Sequence, residues 1–249
     1  MKPADSIPSS ASAAAPASPH VVARGLGLKR GDRWLFRGLD LNVPRGSFVA
    51  VVGPSGIGKS SFLACLAGLL APTEGHLEIH DAAGRIHAPG GVPGATGVVF
   101  QNNLLVPTSS LLSNVLCGRL GRYPWWRTVF GLPRAERELA YRILCDLGLG
   151  EKVHRWVCET SGGEQQRTAI ARALFQEPEL YLADEPVSNL DTYLTGRVLG
   201  ILRQEAARHG RTVFCVLHNP QLVDRFAELV LSFDPAGDGA WKLRKVASR

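Results

Sequence analysis

The sequence predicts an α/β fold built on a mostly parallel sheet, and three observations carry that prediction. Apolar, strand-like runs alternate with helix-like segments at both ends of the chain. One such run, "GSFVAVVG", leads into a glycine loop, "GPSGIGKS", and the loop passes straight into a helical pattern. Two further runs, "ELYLADEP" and "TVFCVLHN", end abruptly in charged or polar residues. In open α/β sheets, ligands collect at the carboxyl ends of the strands.

Taken in order, residues 1–19 are rich in Pro, Ala and Ser and predict a disordered tail with too little apolar surface to fold. They contain no apolar core of a secretory signal. From His20, "HVVARGLGLKR" and "RGLDLNV" predict short strands. "GSFVAVVG" reads as a buried strand. "KSSFLACLAGLL" predicts a helix stopped by Pro72. "HLEIHDAAGRI" predicts a hairpin with Gly84 in its turn. "TGVVF" is a strand ending at Gln101. Residues from about 103 to 176 are mostly helical and form an insertion, with "RAERELAYRILCDLGL" its clearest amphipathic segment. "ELYLADEP" and "TVFCVLHN" are two more buried strands, and "LTGRVLGILRQEAARHG" is a helix between them, closed by Gly210.

The 249 residues suffice for one large domain or a core with an inserted subdomain. Hydrophobic residues make up 45% and charged residues 20%, values ordinary for a soluble globular protein. The net charge of +6 suits an anionic partner: a nucleotide, a nucleic acid or a cytoplasmic lipid face. Five cysteines without a CxxC pair argue against a disulfide framework or zinc site and for reduced thiols in the cytoplasm. The apolar run "FLACLAGLLA" is too short to span a bilayer, which takes about 20 residues. Any membrane association is therefore expected to be peripheral.

"GPSGIGKS" fits G-x-x-x-x-G-K-[ST] between a strand and a helix, the context of a phosphate-binding loop. Its residues are Gly53, Pro54, Ser55, Gly56, Ile57, Gly58, Lys59 and Ser60, followed by Ser61. The glycines let backbone N–H groups curl around phosphate oxygens, and the helix aims its positive end at the same anion. Lys59 is placed to reach the β- and γ-phosphates, and the Ser60 hydroxyl to ligate Mg²⁺. Asp184, at the end of a buried strand, is a second ligand for the metal. Glu185 points the other way off that strand and is the candidate to polarise an attacking water. Gln101 and His218, each at a strand end, complete the site, near the metal or lytic water and near the γ-phosphate respectively.

A second serine-glycine turn, "TSGGEQ", lies in the helical insertion, far along the chain from the first loop. It is placed to bind phosphate from another direction. The economical arrangement is two copies head to tail, each closing Ser161, Gly162 and Gly163 over the nucleotide of the other. Nucleotide binding would then join the copies and hydrolysis release them.

As a set, these motifs resemble the ATP-binding subunits of ABC transporters over about residues 20–235. The matching pieces are "GPSGIGKS", Gln101, the signature "TSGGEQQR", "LYLADE", "SNLD" (residues 188–191) and His218. The resemblance implies ATP and Mg²⁺ as cofactors. It implies an ATPase core, a small N-terminal antiparallel β-subdomain and an inserted helical subdomain. It places Asp191 at the dimer seam and adds Glu164 to the nucleotide-binding turn. A narrower resemblance joins "SNVLCGRLGRYPWWRTVFGLPRAERELAYRILCDLGL" to phosphonate importer ATPases, which carry a similar GRLGR-x-x-x-WR-x-x-FGL run. It implies a membrane permease docked on the helical subdomain, a solute-binding protein acting through that permease, and a location at the cytoplasmic face of the cell membrane. Trp125 and Trp126, beside Arg119, Arg122 and Arg127, suit that docking; equally, the tryptophans suit the subdomain's own core.

Two departures carry expectations. Thr160 and Glu164 stand where the signature usually has Leu and Gln. A carboxylate beside a triphosphate needs a base to offset it, and Arg167, one helical turn on, is expected to do so. The position that stacks on adenine falls on Arg30, with Trp34 the alternative, which predicts weak discrimination between bases. Two other functions compete with transport. One is a soluble ATPase acting on nucleic acid or ribosomes, which the lack of a second cassette or of a long coiled-coil or zinc insertion disfavours. The other is a module of a phosphonate-degrading complex, which the tryptophan-rich segment disfavours.

Overall fold

The computed structural model describes residues 18–92, 94–100, 102–128, 131–234 and 239–246, apart from the side chains at positions 19 and 127. Most of the tail expected for residues 1–19, Gln101 and the Arg127 side chain thus lie outside the described residues.

Two sheets share one helix. The first is antiparallel, with strands β1 (Pro19–Arg30), β2 (Arg33–Pro44), β4 (Glu74–His80) and β5 (Ile86–His87) in the order β2-β1-β4-β5. The two N-terminal strands run to 12 residues each, longer than their sequence pattern promised, and irregularities in their pairing interrupt the register. The second sheet contains β3 (Phe48–Val52), β6 (Thr96–Val99), β7 (Leu180–Ala183), β8 (Thr212–Val216), β9 (Leu229–Phe233) and β10 (Trp241–Lys245). Its order is β10-β9-β3-β8-β7-β6, parallel except for β10. Strands β9 and β10 extend the sheet beyond the strands that the sequence announced.

Alternation along the parallel strands divides the core. Successive side chains leave a strand on opposite faces. Phe48, Ala50, Tyr181, Ala183, Val213 and Cys215 pack on one face with the helical region. Val49, Val51, Leu180, Leu182, Phe214 and Val216 pack on the other with α1 (Lys59–Leu66) and the antiparallel sheet. Phe62 of α1 stitches the sheets together, its ring 5.8 Å from Phe36, 5.9 Å from Phe214 and 5.8 Å from Phe233. The helix ends before the predicted stop at Pro72. Gly68 adopts φ +72° there, and a Cβ at that position would lie 2.4 Å from the Pro89 carbonyl oxygen. A left-handed glycine next to close backbone ends the helix by itself.

The inserted region contains α2 (Leu111–Leu116), α3 (Trp125–Thr128), α4 (Arg134–Asp146) and α5 (Gly162–Gln176). It has no separate core: Leu111, Val115, Ala140, Leu144 and Ile170 belong to the same buried cluster as Phe48 and Ala50. The helix α6 (Thr192–His209) ends on Gly210 at φ +66°, as its sequence predicts. A further short helix, α7 (Pro220–Phe226), follows β8.

His20 ties the two sheets together. It is fully buried, and its Nδ1 lies 2.6 Å from Thr212 Oγ1 at the start of β8. Burial, then the nearby charge of Arg45 and His80, lowers its pKa from 6.5 to about 3. Its neutral form is therefore the native one. As pH falls from 6.5 towards 3, the unfolded chain binds a proton that the folded chain refuses, so stability drains through that window and is constant above it. Denaturant titrations at pH 7.5 and pH 5 should show a loss from this residue of about 2 kcal/mol. His20→Gln should shrink the difference by that amount, and an unchanged difference would refute the assignment.

Candidate functional site

The strand alternation that divides the core also aims the site. Asp184 continues β7 by one residue, its N–H donating to the Val99 carbonyl at 2.9 Å. It shares the parity of Leu182 and so faces α1, where the Ser60 hydroxyl hydrogen-bonds to it. Glu185 then turns the chain with φ +52°, a left-handed conformation uncommon outside glycine. Its carboxylate oxygen lies 2.7 Å from His218 Nε2, just beyond β8. The ends of β3, β7 and β8 therefore deliver Lys59, Ser60, Asp184, Glu185 and His218 to one place, as the sequence predicts.

The glycine loop curls around its own lysine. Lys59 is only 5% exposed, and its ammonium donates to the carbonyls of Gly53 at 2.9 Å and Pro54 at 2.8 Å. Burial lowers its pKa, and the charges of Glu185 and Asp184 pull it back up. Burial raises the Asp184 pKa, opposed by the Ser60 hydrogen bond. A buried ammonium facing a carboxylate and a hydroxyl suits phosphate oxygens and one hard cation.

The second turn is built differently. Ser161 caps α5: its hydroxyl accepts from the Glu164 N–H at 3.4 Å, and Glu164 Oε2 accepts from the Ser161 N–H at 3.0 Å. This reciprocal pair is a capping box. Ser161 and Gly162 are exposed. The base that meets Glu164 is Lys152, with Nζ 2.5 Å from Oε1, in place of the expected Arg167. Arg167 instead donates to the carbonyls of Leu147 at 3.1 Å and Gly163 at 3.3 Å. The Lys152 hydrogen bond chiefly holds the Glu164 carboxyl below its ordinary pKa, and Arg167 contributes only through its charge. The sequence carried no signal for Lys152, which ends a single 3-10 turn over Gly150–Lys152.

Other side chains link the second turn to the first site. Gln166, buried on α5, donates to the Glu185 carbonyl at 2.9 Å and accepts from the Asn189 N–H at 3.3 Å. Asp191 caps α6, accepting from the Leu194 N–H at 2.9 Å. Asn103 and Leu104, just past Gln101, both have positive φ, and Arg172 of α5 grips their carbonyls at 2.8 and 2.7 Å. Sequence reasoning missed Gln166 and Arg172. Both face inward from a helix read only for its glycine start and for Arg167.

The aromatic and basic segment resolves into two roles. Trp125 is 79% exposed and Trp126 54%. They do not pack the inner core. Arg119 turns inward, away from that surface. It pairs with Glu136 at 2.7 Å and Glu177 at 2.6 Å and stacks over Phe175 at 4.5 Å. Arg122 is half-exposed and reaches the Gln176 carbonyl. Arg30 is exposed at the end of β1, and Trp34 is half-buried on β2 with Arg37 over its ring at 4.6 Å.

A family model described as "ABC transporter" matches residues 36–188. A phosphonates import ATP-binding protein of Nostoc sp., PhnC 2, is 38% identical over 203 residues, covering 82% of this chain and 83% of its own. A phosphite import ATP-binding protein of Stutzerimonas stutzeri, PxtA, is 41% identical over 193 residues, covering 75% and 68%. Among solved structures, the dimeric post-hydrolysis state of the ATP-binding cassette MJ0796 bound to ADP and Pi superposes with TM-score 0.77 at 28% identity, covering 92% of this chain and all of that one.

The loop tolerates little at Gly58. Its φ is +118°, and a Cβ there would lie 2.9 Å from Leu35 Cβ. Gly58→Ala should lower stability by about 2 kcal/mol, read as a shift in denaturation midpoint without a change in slope. A variant as stable as the parent would show that the loop relaxes freely.

Proposed function

The chain belongs to the ABC transporter family, and we propose that it is the ATP-binding and ATP-hydrolysing subunit of an importer that takes up a phosphonate or a related phosphorus oxyanion. The observation that carries this reading is the convergence of Lys59, Ser60, Asp184, Glu185 and His218 at the ends of three parallel strands. The names of the phosphonate and phosphite import relatives support the substrate class.

In this reading residues 53–61 hold the triphosphate, with Lys59 neutralising its β- and γ-oxygens. Ser60, Asp184 and Gln101 would hold Mg²⁺, which supplies charge neutralisation to the phosphates. Glu185, oriented by His218, takes the proton of a water whose oxygen bonds to the γ-phosphorus as the bond to the β-phosphate oxygen breaks. Ser161, Gly162, Gly163 and Glu164 close over the nucleotide of a second copy, with Asp191 near the seam. The exposed Ser161 turn and the dimeric state of the similar cassette support that arrangement.

The permease is expected on the surface that bears Trp125 and Trp126, since exposed aromatics anchor interfaces. Arg119, spent on internal ion pairs, is not part of it. The solute receptor acts through the permease, and no nucleic-acid partner is expected. Among the described residues no helix is long and apolar enough to cross a membrane, which fits peripheral attachment at the cytoplasmic face.

Three substitutions separate the roles. Glu185→Gln should bind ATP yet turn over at least 10²-fold more slowly, about the worth of a general base, and accumulate as a dimer in gel filtration. Wild-type turnover would remove Glu185 from the mechanism. Lys59→Ala should lose nucleotide binding in a fluorescent-ATP titration. Ser161→Arg should retain that binding while abolishing the dimer; unchanged dimerisation would exclude the second turn.

A further inference from the structure

We infer that Lys152 is a positioning residue of the shared ATP site, neutralising Glu164 so that an acidic turn can close on a triphosphate. The inference rests on the two-copy reading above. Glu164 stands in the turn that approaches the partner's nucleotide, and an unbalanced carboxylate there would oppose closure through charge repulsion. Its side chain is 13% exposed and that of Lys152 38%, so the ammonium shields the carboxylate on its open side. One Glu164 oxygen is held by Lys152 at 2.5 Å and the other by the Ser161 N–H at 3.0 Å. The same side chain therefore shapes the turn and carries the charge that Lys152 cancels. Arg167 is committed to the Gly163 and Leu147 carbonyls, and among the described residues it forms no ion pair with Glu164 that would replace Lys152.

Losing Lys152 leaves two outcomes for Glu164. It stays in place as a bare anion facing the triphosphate, or it swings to solvent and abandons the Ser161 N–H. Either weakens ATP-driven closure. A neutral Gln at 164 keeps an acceptor for the Ser161 N–H without the charge, so it should make Lys152 dispensable. A lysine serving only to tie the 150–152 turn to α5 would lower the stability of the isolated subunit instead.

The test is a double-mutant cycle in the Glu185→Gln background, which holds ATP unhydrolysed. Sedimentation would measure ATP-dependent dimerisation of the parent, Lys152→Met, Glu164→Gln and the double variant. Lys152→Met should weaken dimerisation about tenfold with Glu164 present and less than about twofold with Gln at 164. Added salt should shrink the first defect, and Lys152→Arg should behave as the parent. Melting temperatures without nucleotide should not track these changes. Equal losses in both backgrounds, or a defect that follows the melting temperature, would overturn the inference. So would a Lys152→Met dimer as tight as its parent, with the two-copy reading intact. A parent that stays monomeric with ATP would instead remove that reading, and the inference with it.

Discussion

A charged amine is buried where a parallel sheet ends, and most of the site follows from making that tolerable. Lys59 is nearly inaccessible, yet an ammonium in a protein interior is costly unless it is paired and hydrogen-bonded. The loop supplies the hydrogen bonds from the Gly53 and Pro54 carbonyls, which requires the backbone to curl back over its own helix. The sheet supplies the opposite charge through Asp184 and Glu185. The same compensation concentrates charge of both signs at the strand ends, the condition under which a polyanion and a cation can be exchanged into the site.

That balance depends on two packed faces held in register. Alternation places Asp184 towards α1, while the left-handed turn at Glu185 sends the next carboxylate to His218. Phe62 and His20 bind the antiparallel sheet to the parallel one. On the opposite face the helical region shares its core with the sheet, so its helices are not independent of the site. Gln166 touches the Glu185 carbonyl, and Arg172 holds the segment beyond Gln101. These polar contacts run from α5 to the turn at Glu185 and to the segment beyond Gln101. Movement of α5 would therefore be felt at Glu185.

Much of the fold was legible because the parallel strands are short apolar runs closed by polar residues, a pattern few other arrangements produce. The phosphate loop was legible for the same reason, since strand, glycines and helix follow one another in the chain. Strand β10 was not, because "WKLRK" is an edge strand with charged residues facing out. The end of α1 was misread, because Pro72 is a strong local stop but Gly68 meets the Pro89 backbone, beyond the whole of β4, only after folding. Arg119 reads as a surface cation beside tryptophans, and only its partners Glu136 and Glu177 show it to be internal.

By itself the sequence determined what depends on neighbours in the chain: the strand and helix alternation, the glycine loop, the paired acids after "LYLA" and the Ser161 cap of α5. Tertiary structure alone decided the long-range partners of charged groups such as Arg119 and Lys152. Arg167 was the nearest base along the helix, but Lys152 is the one that meets Glu164. Local patterns are dictated by backbone geometry and periodicity over a few residues. Long-range ion pairs are settled by which long side chains the packing brings within about 4 Å, and no spacing along the chain encodes that.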